Sequence, residues 1–252
     1  MKPTILITGA GSGIGRGLAV SLAAQGHFVG ITDFRTEAAQ ETCDIVRNQG
    51  HQAEALGLDV TDLTQISQML AQNWPISVLI NNAGLQCIST LEEFPIEKWD
   101  LLTSVMVKGT FQMTQALLPG MRERGFGRLI HIGSIHSLVA SPFKSAYVAA
   151  KHAIVGFSKT VALETGNCDI TSNVLCPAYV RTALVEKQIA DQARTRNISE
   201  QEVVEKVMLA PCPKKRFIEI EELVWAVNFL ISPLARNITG QTLVIDGGWT
   251  AQ

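Results

Sequence analysis

Charge of either sign is scarce in this chain of 252 residues: 17% are Asp, Glu, Lys or Arg, and the net charge is −2. No basic run or tail is present, which speaks against a nucleic-acid partner. The five cysteines (Cys43, Cys87, Cys168, Cys176 and Cys212) are odd in number and scattered. None forms C-x-x-C and no Cys/His cluster has metal-ligand spacing, so neither a disulfide framework nor a metal site is expected. Reduced thiols in a cytoplasmic protein are the expectation instead. No uninterrupted apolar stretch is long enough to cross a bilayer, so no membrane partner is expected. Ile5-Leu6-Ile7 after Lys2 briefly mimics a signal peptide, but Gly9, Gly11 and Gly13 break the run, which reads as a first β-strand. Internal repeats, low-complexity tracts and interdomain linkers are also missing. With 46% hydrophobic residues, disorder is excluded, and the length suits one domain, residues 1–252, with a substantial core.

What is present is alternation. Short β-rich runs (Thr4–Thr8, Phe28–Thr32, Ala53–Leu58, Val78–Asn81, Arg128–Ile132, Thr171–Cys176, Thr242–Asp246) are separated by helical stretches. These lie near Ile14–Gln25, Glu37–Gln49, Leu63–Asn73, Lys98–Arg124, Ala146–Thr165 and Glu221–Leu230. This pattern predicts an α/β fold with parallel strands and right-handed crossovers. Continuous apolar runs such as Val78-Leu79-Ile80 suit strands buried on both faces. Residues of about 184–216 break the rhythm: the segment is polar, lacks a strand, and ends in Pro211, Pro213 and two lysines. It follows the sixth strand, where ligands bind at strand carboxyl ends, and reads as a helical lid; a surface excursion is the alternative.

The first strand runs into Thr8-Gly9-Ala10-Gly11-Ser12-Gly13-Ile14-Gly15 and then a helix. Glycines there permit a tight turn and close backbone approach to a pyrophosphate, and the helix N-terminus offers free N–H groups. Gly9, Ser12, Gly13, Ile14 and Gly15 are therefore candidate cofactor residues. Asp33 ends the second strand. A carboxylate there accepts from an adenosine ribose and repels a 2′-phosphate, which points to NAD; Arg35 nearby softens the preference. A helix N-cap is the alternative role for Asp33. Asp59-Val60 and Asn81-Asn82-Ala83-Gly84 are further polar strand ends, read as holding the adenosine and the central sheet edge; ordinary turn residues are the alternative for Asn81 and Asn82.

Tyr147 and Lys151 are spaced i, i+4 on a helix, with Ser134 upstream. A cation beside a phenol favours the phenolate and lowers its pKa. The set predicts proton transfer to or from an alcohol oxygen.

Together the loop Thr8–Gly15, Asn81–Gly84, Ser134, Tyr147 and Lys151 resemble the short-chain dehydrogenase/reductase family. The likeness runs through the chain to Ile245-Asp246-Gly247-Gly248-Trp249. It implies a doubly wound, seven-stranded parallel sheet, a nicotinamide cofactor and a homotetramer. It also implies cofactor contacts from Pro177, Val180 and, at the carboxamide, Thr182, besides Tyr147 and Lys151. Gln86, Ser134-Ile135-His136, Ser141–Tyr147, Leu184–Gln188 and the final Asp246–Gln252 resemble the bacterial branch acting on 3-hydroxybutyrate. That likeness implies interconversion of the D-hydroxy acid with acetoacetate, with Gln86, Ser134, His136, Lys144, Tyr147 and Gln188 around the substrate. Lys144, Gln86, His136 and Gln188 would take its carboxylate, as its charge demands of strong donors, and Leu138 would face its short chain.

Two departures stand out. Met106 occupies the position where the family carries an asparagine that holds a water in a proton relay; methionine has no donor. Its carbonyl, with Thr103 and Thr110 nearby, is the expected substitute. Pro177-Ala178 replaces Pro-Gly, and alanine is strained if that position needs φ > 0. Three alternative readings follow: a dehydrogenase for another small hydroxy acid, ketone or secondary alcohol, a cofactor-binding protein dimmed by Met106, or an acyl-thioester reductase, which the mildly acidic balance disfavours.

Overall fold

The computed structural model describes residues 2–251, with backbone alone at Ala183, Leu184, Lys187 and Thr195. Seven strands form one parallel sheet: β1 (Thr4–Ile7), β2 (Phe28–Asp33), β3 (Ala53–Gly57), β4 (Ile76–Asn81), β5 (Phe126–Ile132), β6 (Asp169–Pro177) and β7 (Thr242–Ile245). Their order is β3-β2-β1-β4-β5-β6-β7, as the alternating pattern predicts. The order reverses between β1 and β4, which opens a crevice at their carboxyl ends.

Helices cover both faces. Helices α1 (Gly13–Ala24), α2 (Thr36–Asn48) and α3 (Leu63–Leu70) follow the first three strands. One core cluster joins α1 and α2 to the sheet through Ile5, Ile7, Leu18, Leu22, Val29, Ile31, Cys43 and Val46. Leu6, Leu79 and Leu129 point the other way, to Met113, Leu117 and Met121. Strand alternation thus feeds both layers from apolar runs, as a doubly covered parallel sheet requires.

The single helix expected over Lys98–Arg124 is α4 (Ile96–Thr103), a π-helical turn (Ser104–Lys108) and α5 (Gly109–Arg124). The π turn centres on Met106, the position that departs from the family pattern. After β5, α6 (Ser145–Glu164) carries Tyr147 and Lys151. Beyond β6 come α7 (Ala183–Arg196), a short α8 (Glu200–Glu202) and a π-helical stretch (Val203–Met208). These pack through Val185, Ile189, Val203 and Met208 against Tyr179 and Phe217. Helix α9 (Ile220–Ile231) returns the chain to β7.

Candidate active site

A cavity of about 500 Å³ opens at the carboxyl ends of the strands, running from Asp33 past Ser134 and Tyr147 to Lys144 and Gln188. Its cofactor-side wall is the glycine loop. Gly9 has φ +62°, and a Cβ there would stand 2.8 Å from Ala83 Cα, so loop and β4 end meet backbone to backbone. Asn82 fastens this contact: Nδ2 donates to the carbonyls of Thr8 and Gly9, both at 2.9 Å, and its backbone N–H to Thr8 Oγ1 at 3.0 Å. Asn81 turns inward to Thr114 and His131.

Asp33 Oδ2 accepts from the Gly11 N–H at 2.9 Å and Oδ1 from the Arg35 N–H at 3.0 Å. A Cβ on Gly11 would lie 2.8 Å from the Asp33 carboxylate. The alternative of Asp33 as a helix cap is overturned, since Arg35 occupies the N-cap of α2. Ser12 is the N-cap of α1 and makes no side-chain cap bond, so the first-turn N–H groups are left to a ligand. The loop, the N–H groups and the strand-end carboxylate fit a dinucleotide.

Of the cofactor residues expected from sequence, Gly9, Ser12, Gly13, Ile14, Asp33, Asn82, Gly84, Tyr147, Lys151, Pro177, Val180 and Thr182 line the cavity, and Phe34 and Arg35 join them. Gly15, Asp59, Val60 and Ala83 stand outside the lining. Gly15 backs onto Asn82, and Val60 meets Gly109. Asp59 Oδ1 accepts from the Thr61 N–H and hydroxyl, closing the turn before α3. Ala83 gives its N–H to Thr8 Oγ1.

The reacting end lies between β5 and α6. Ser134 follows β5 and caps a short 3₁₀ turn, its Oγ accepting from the His136 N–H at 3.1 Å. Ser134 and Tyr147 line the cavity together. Lys151 Nζ lies 5.5 Å from the centre of the Tyr147 ring and donates to the Ile132 carbonyl at 2.6 Å. Tyr147 and Lys151 share a helix face as their spacing predicts, and Ser134 joins them in the cavity lining as the family resemblance implies. The expected direction of the phenol's pKa is corrected: burial pushes Tyr147 up to about 12, with the Ser134 hydroxyl acting against it. Burial also lowers Lys151 to about 8.

The far end is polar and largely enclosed. Lys144 is 6% and His136 3% exposed. Lys144 Nζ donates to Tyr179 Oη at 3.0 Å and stands 3.5 Å from His136 Nε2. Burial, then the charge of Arg196, lowers Lys144 to about 8; burial, then Lys144, lowers His136 to about 4. Gln86 Oε1 and Gln188 Oε1 are buried without a partner among the described residues. Such atoms are costly unless a ligand satisfies them. Gln86, His136, Lys144 and Gln188, brought from four separate segments, therefore meet at one end of the cavity. Leu138 does not join them: it is 41% exposed and outside the lining.

Tyr179 is the residue that sequence reasoning missed. Its position just past the end of β6 is visible in the sequence, but its bond to Lys144 spans 35 residues and has no local signal. The strain expected at Ala178 is also corrected, since its φ is not positive. Met106 is fully buried with Leu102, Ala146 and Ala150, and Tyr147 packs against this cluster. Its carbonyl accepts the Thr110 hydroxyl at 2.7 Å. Thr103 Oγ1 donates to Trp99 and Asp100 carbonyls instead.

Among the described residues no group of three or more His, Cys, Asp or Glu is placed to hold a metal, and no helix is long and apolar enough to cross a membrane.

The short chain dehydrogenase family model matches residues 3–193. A D-beta-hydroxybutyrate dehydrogenase of Rhizobium meliloti (strain 1021) is 42% identical, covering 100% of both chains. A D-beta-hydroxybutyrate dehydrogenase of Cupriavidus necator is 39% identical over 99% of this chain and 98% of its own. An uncharacterized oxidoreductase of Bacillus subtilis (strain 168) is 38% identical over 100% and 99%. The cavity at the sheet's reversal point, the serine, tyrosine and lysine gathered beside it and these matches place the chain in the short-chain dehydrogenase family, as an oxidoreductase working with a nicotinamide cofactor.

Proposed function

We propose that this chain interconverts (R)-3-hydroxybutyrate and acetoacetate with NAD. The observation that carries this reading is the buried far end of the cavity, where the Lys144 ammonium meets His136 and the side chains of Gln86 and Gln188, whose amide N–H groups are donors that a carboxylate can take. A short hydroxy acid with its carboxylate there has its hydroxyl beside Ser134 and Tyr147. Charge-assisted bonds from a buried ammonium favour an acid over a neutral alcohol. The names of the Rhizobium and Cupriavidus relatives support both substrate and hand.

The glycine loop, the α1 N-terminus, Asp33 and Asn82 would hold the adenosine and pyrophosphate end, with Asp33 favouring NAD through the ribose. Lys151, Pro177, Val180 and Thr182 line the other end, beside Tyr147. Gly15, Ala83, Asp59 and Val60 would support the cofactor from behind the lining. When bound, the cofactor supplies the hydride acceptor and, oxidised, a positive charge. Tyr147 moves the hydroxyl proton. With its pKa pushed to about 12, the protein alone presents Tyr147 as an acid, suited to reducing acetoacetate. In oxidation, added positive charge favours the phenolate alongside Lys151. Ser134 holds the reacting oxygen, and Lys151 is fixed by Ile132.

The reading extends to the assembly. α7 supplies Val185 and Gln188 to the cavity wall, which supports residues of about 184–216 as a lid within a single catalytic domain, 1–252. The homotetramer and the cytoplasmic location rest on the family resemblance; Trp225 and Phe229, 66% and 42% exposed and stacked 6.1 Å apart on α9, offer an apolar face for contact between copies. A second reading, a protein dimmed in turnover, is favoured by one observation: the Met106 side chain, fully buried with Leu102, Ala146 and Ala150, brings no polar group where the family resemblance places an amide.

Absorbance of reduced nicotinamide, followed with NAD and a panel of (R)-3-hydroxybutyrate, its enantiomer, other hydroxy acids and secondary alcohols, tests the proposal. Highest kcat/KM on the (R)-acid supports it. Faster turnover of a neutral alcohol replaces it with the broader dehydrogenase reading, and cofactor binding without turnover supports the dimmed protein.

A further inference from the structure

Tyr179 stands at the polar end of the cavity, just beyond β6 and outside the serine, tyrosine and lysine set. Its main chain is fixed: the Ile218 N–H donates to the Tyr179 carbonyl at 2.9 Å, and Val180 bridges to Ile218. Its ring is fixed as well. Trp249 packs against it at 5.9 Å with planes tilted by 39°, and the same indole meets His136 edge-on at 6.2 Å. Trp249 thus braces two residues at the carboxylate end together. Trp249 is braced in turn by the turn at Asp246, whose carboxylate accepts from the Gly248 and Thr250 N–H groups.

The hydroxyl has a defined role in this frame. Its oxygen accepts from Lys144 Nζ at 3.0 Å, and the ammonium stands 5.1 Å from the ring centre. A phenol has one proton to give. With its oxygen turned to Lys144, that proton is aimed away from the ammonium, and among the described residues it has no acceptor. A carboxylate drawn to Lys144 accepts several hydrogen bonds at once. Neutral Tyr179 adds a donor there without adding charge, and its pKa, pushed up to about 12 by burial, keeps the proton in place.

We infer that Tyr179 is a specificity-determining residue, its hydroxyl donating to the substrate carboxylate beside Lys144 and holding that ammonium in position. This rests on the reading of the substrate as a small hydroxy acid. It adds a fifth polar group to Gln86, His136, Lys144 and Gln188, contributed by the loop after β6.

Tyr179→Phe and Tyr179→Trp test it, the second keeping a large ring against Trp249 while removing the phenol. Acetoacetate is titrated calorimetrically into wild type and variants saturated with NADH, a readout that needs no turnover. Each variant is expected to bind acetoacetate roughly tenfold more weakly, the loss typical of a hydrogen bond to a charged group. The KM for (R)-3-hydroxybutyrate should rise in parallel, with kcat within about twofold, the split that marks a binding contact. The KM for a neutral secondary alcohol and the NADH affinity should stay at wild-type values. Unchanged acetoacetate affinity in Tyr179→Phe, wild-type affinity in Tyr179→Trp, or equal losses for acid and neutral alcohol would each overturn the assignment. Wild type that turns over (R)-3-hydroxybutyrate while the variants match it sinks Tyr179 alone. Wild type that binds acetoacetate through Tyr179 but does not turn over the acid sinks the activity reading alone. Wild type that binds no acetoacetate sinks both.

Discussion

Lys151 Nζ sits 5.5 Å from the centre of the Tyr147 ring and spends a hydrogen bond on the Ile132 carbonyl, 2.6 Å away. The cation therefore lies close to the phenol while anchored to the sheet. Spacing of i, i+4 brings the two together, but the strand end decides where the ammonium points. Burial of the phenol outweighs what the protein offers to stabilise its anion. The first prediction follows: Tyr147→Phe removes the proton carrier and leaves the cofactor wall intact. Turnover should fall by about a thousandfold or more, within the range set by general acid–base catalysis, while NADH affinity measured by fluorescence titration stays unchanged. Retained turnover refutes the role.

Lys144 gives a pH signature. It is charged below its pKa of about 8 and neutral above it. An anionic substrate needs the charged form, so the KM for a hydroxy acid should rise as pH climbs through about 8, while that of a neutral alcohol stays level. Lys144→Ala should raise the acid's KM by roughly tenfold to a hundredfold and abolish this rise with pH. Steady-state rates between pH 6 and about 10 decide it; parallel curves for acid and alcohol remove Lys144 from the carboxylate.

Met106 lies under Tyr147 in an apolar cluster. Met106→Asn introduces the family's polar side chain into a fully buried position. It should lower stability by about 1–3 kcal/mol, as a buried amide with incomplete bonding does. Activity per folded molecule should stay level or rise. A large loss of kcat without a matching loss of folded protein would show that this chain runs its proton path around the methionine.

Asp33 has two tasks, since both carboxylate oxygens accept backbone N–H groups from the loop and from Arg35. Asp33→Ser should raise the KM for NAD by about tenfold and narrow the preference over NADP, with a drop in melting temperature. Preserved preference would place cofactor choice elsewhere.

His131 predicts acid sensitivity. It is fully buried, takes an N–H from Asn81 at Nδ1, faces Ser172 Oγ at Nε2, and is pushed down to about 3 by burial and then by Lys151. The unfolded chain binds a proton near pH 6.5, whereas the fold refuses it until about 3. Stability contributed by the neutral ring is thus fully present above about pH 6.5 and is lost as pH falls toward 3. The slope approaches about 1.4 kcal/mol per pH unit for each such histidine. Urea unfolding at pH 5 and pH 7 should show a smaller difference for His131→Gln than for wild type; equal differences would assign the effect to other groups.

Much of this was legible in the chain alone. Apolar runs such as Ile5-Leu6-Ile7 and the turn glycines announced β1, the loop and α1, because strand burial and positive φ are local demands. The lengths of β5 and β6 were underread, since Phe126 and Asp169 join through cross-strand pairing. The widening of the long helix into a π turn at Ser104–Lys108 had no local signal to announce it.

The sequence by itself determined the element order, the parallel sheet, the dinucleotide loop and the i, i+4 pairing of Tyr147 with Lys151, because each follows from periodicity or from conformational limits acting over a few residues. Only the tertiary structure decided that Tyr179 meets Lys144, that Leu138 turns away, that Ala178 is unstrained and that burial raises the Tyr147 phenol. Those outcomes depend on which distant segments exclude water from one another, a quantity fixed by packing and not by spacing along the chain.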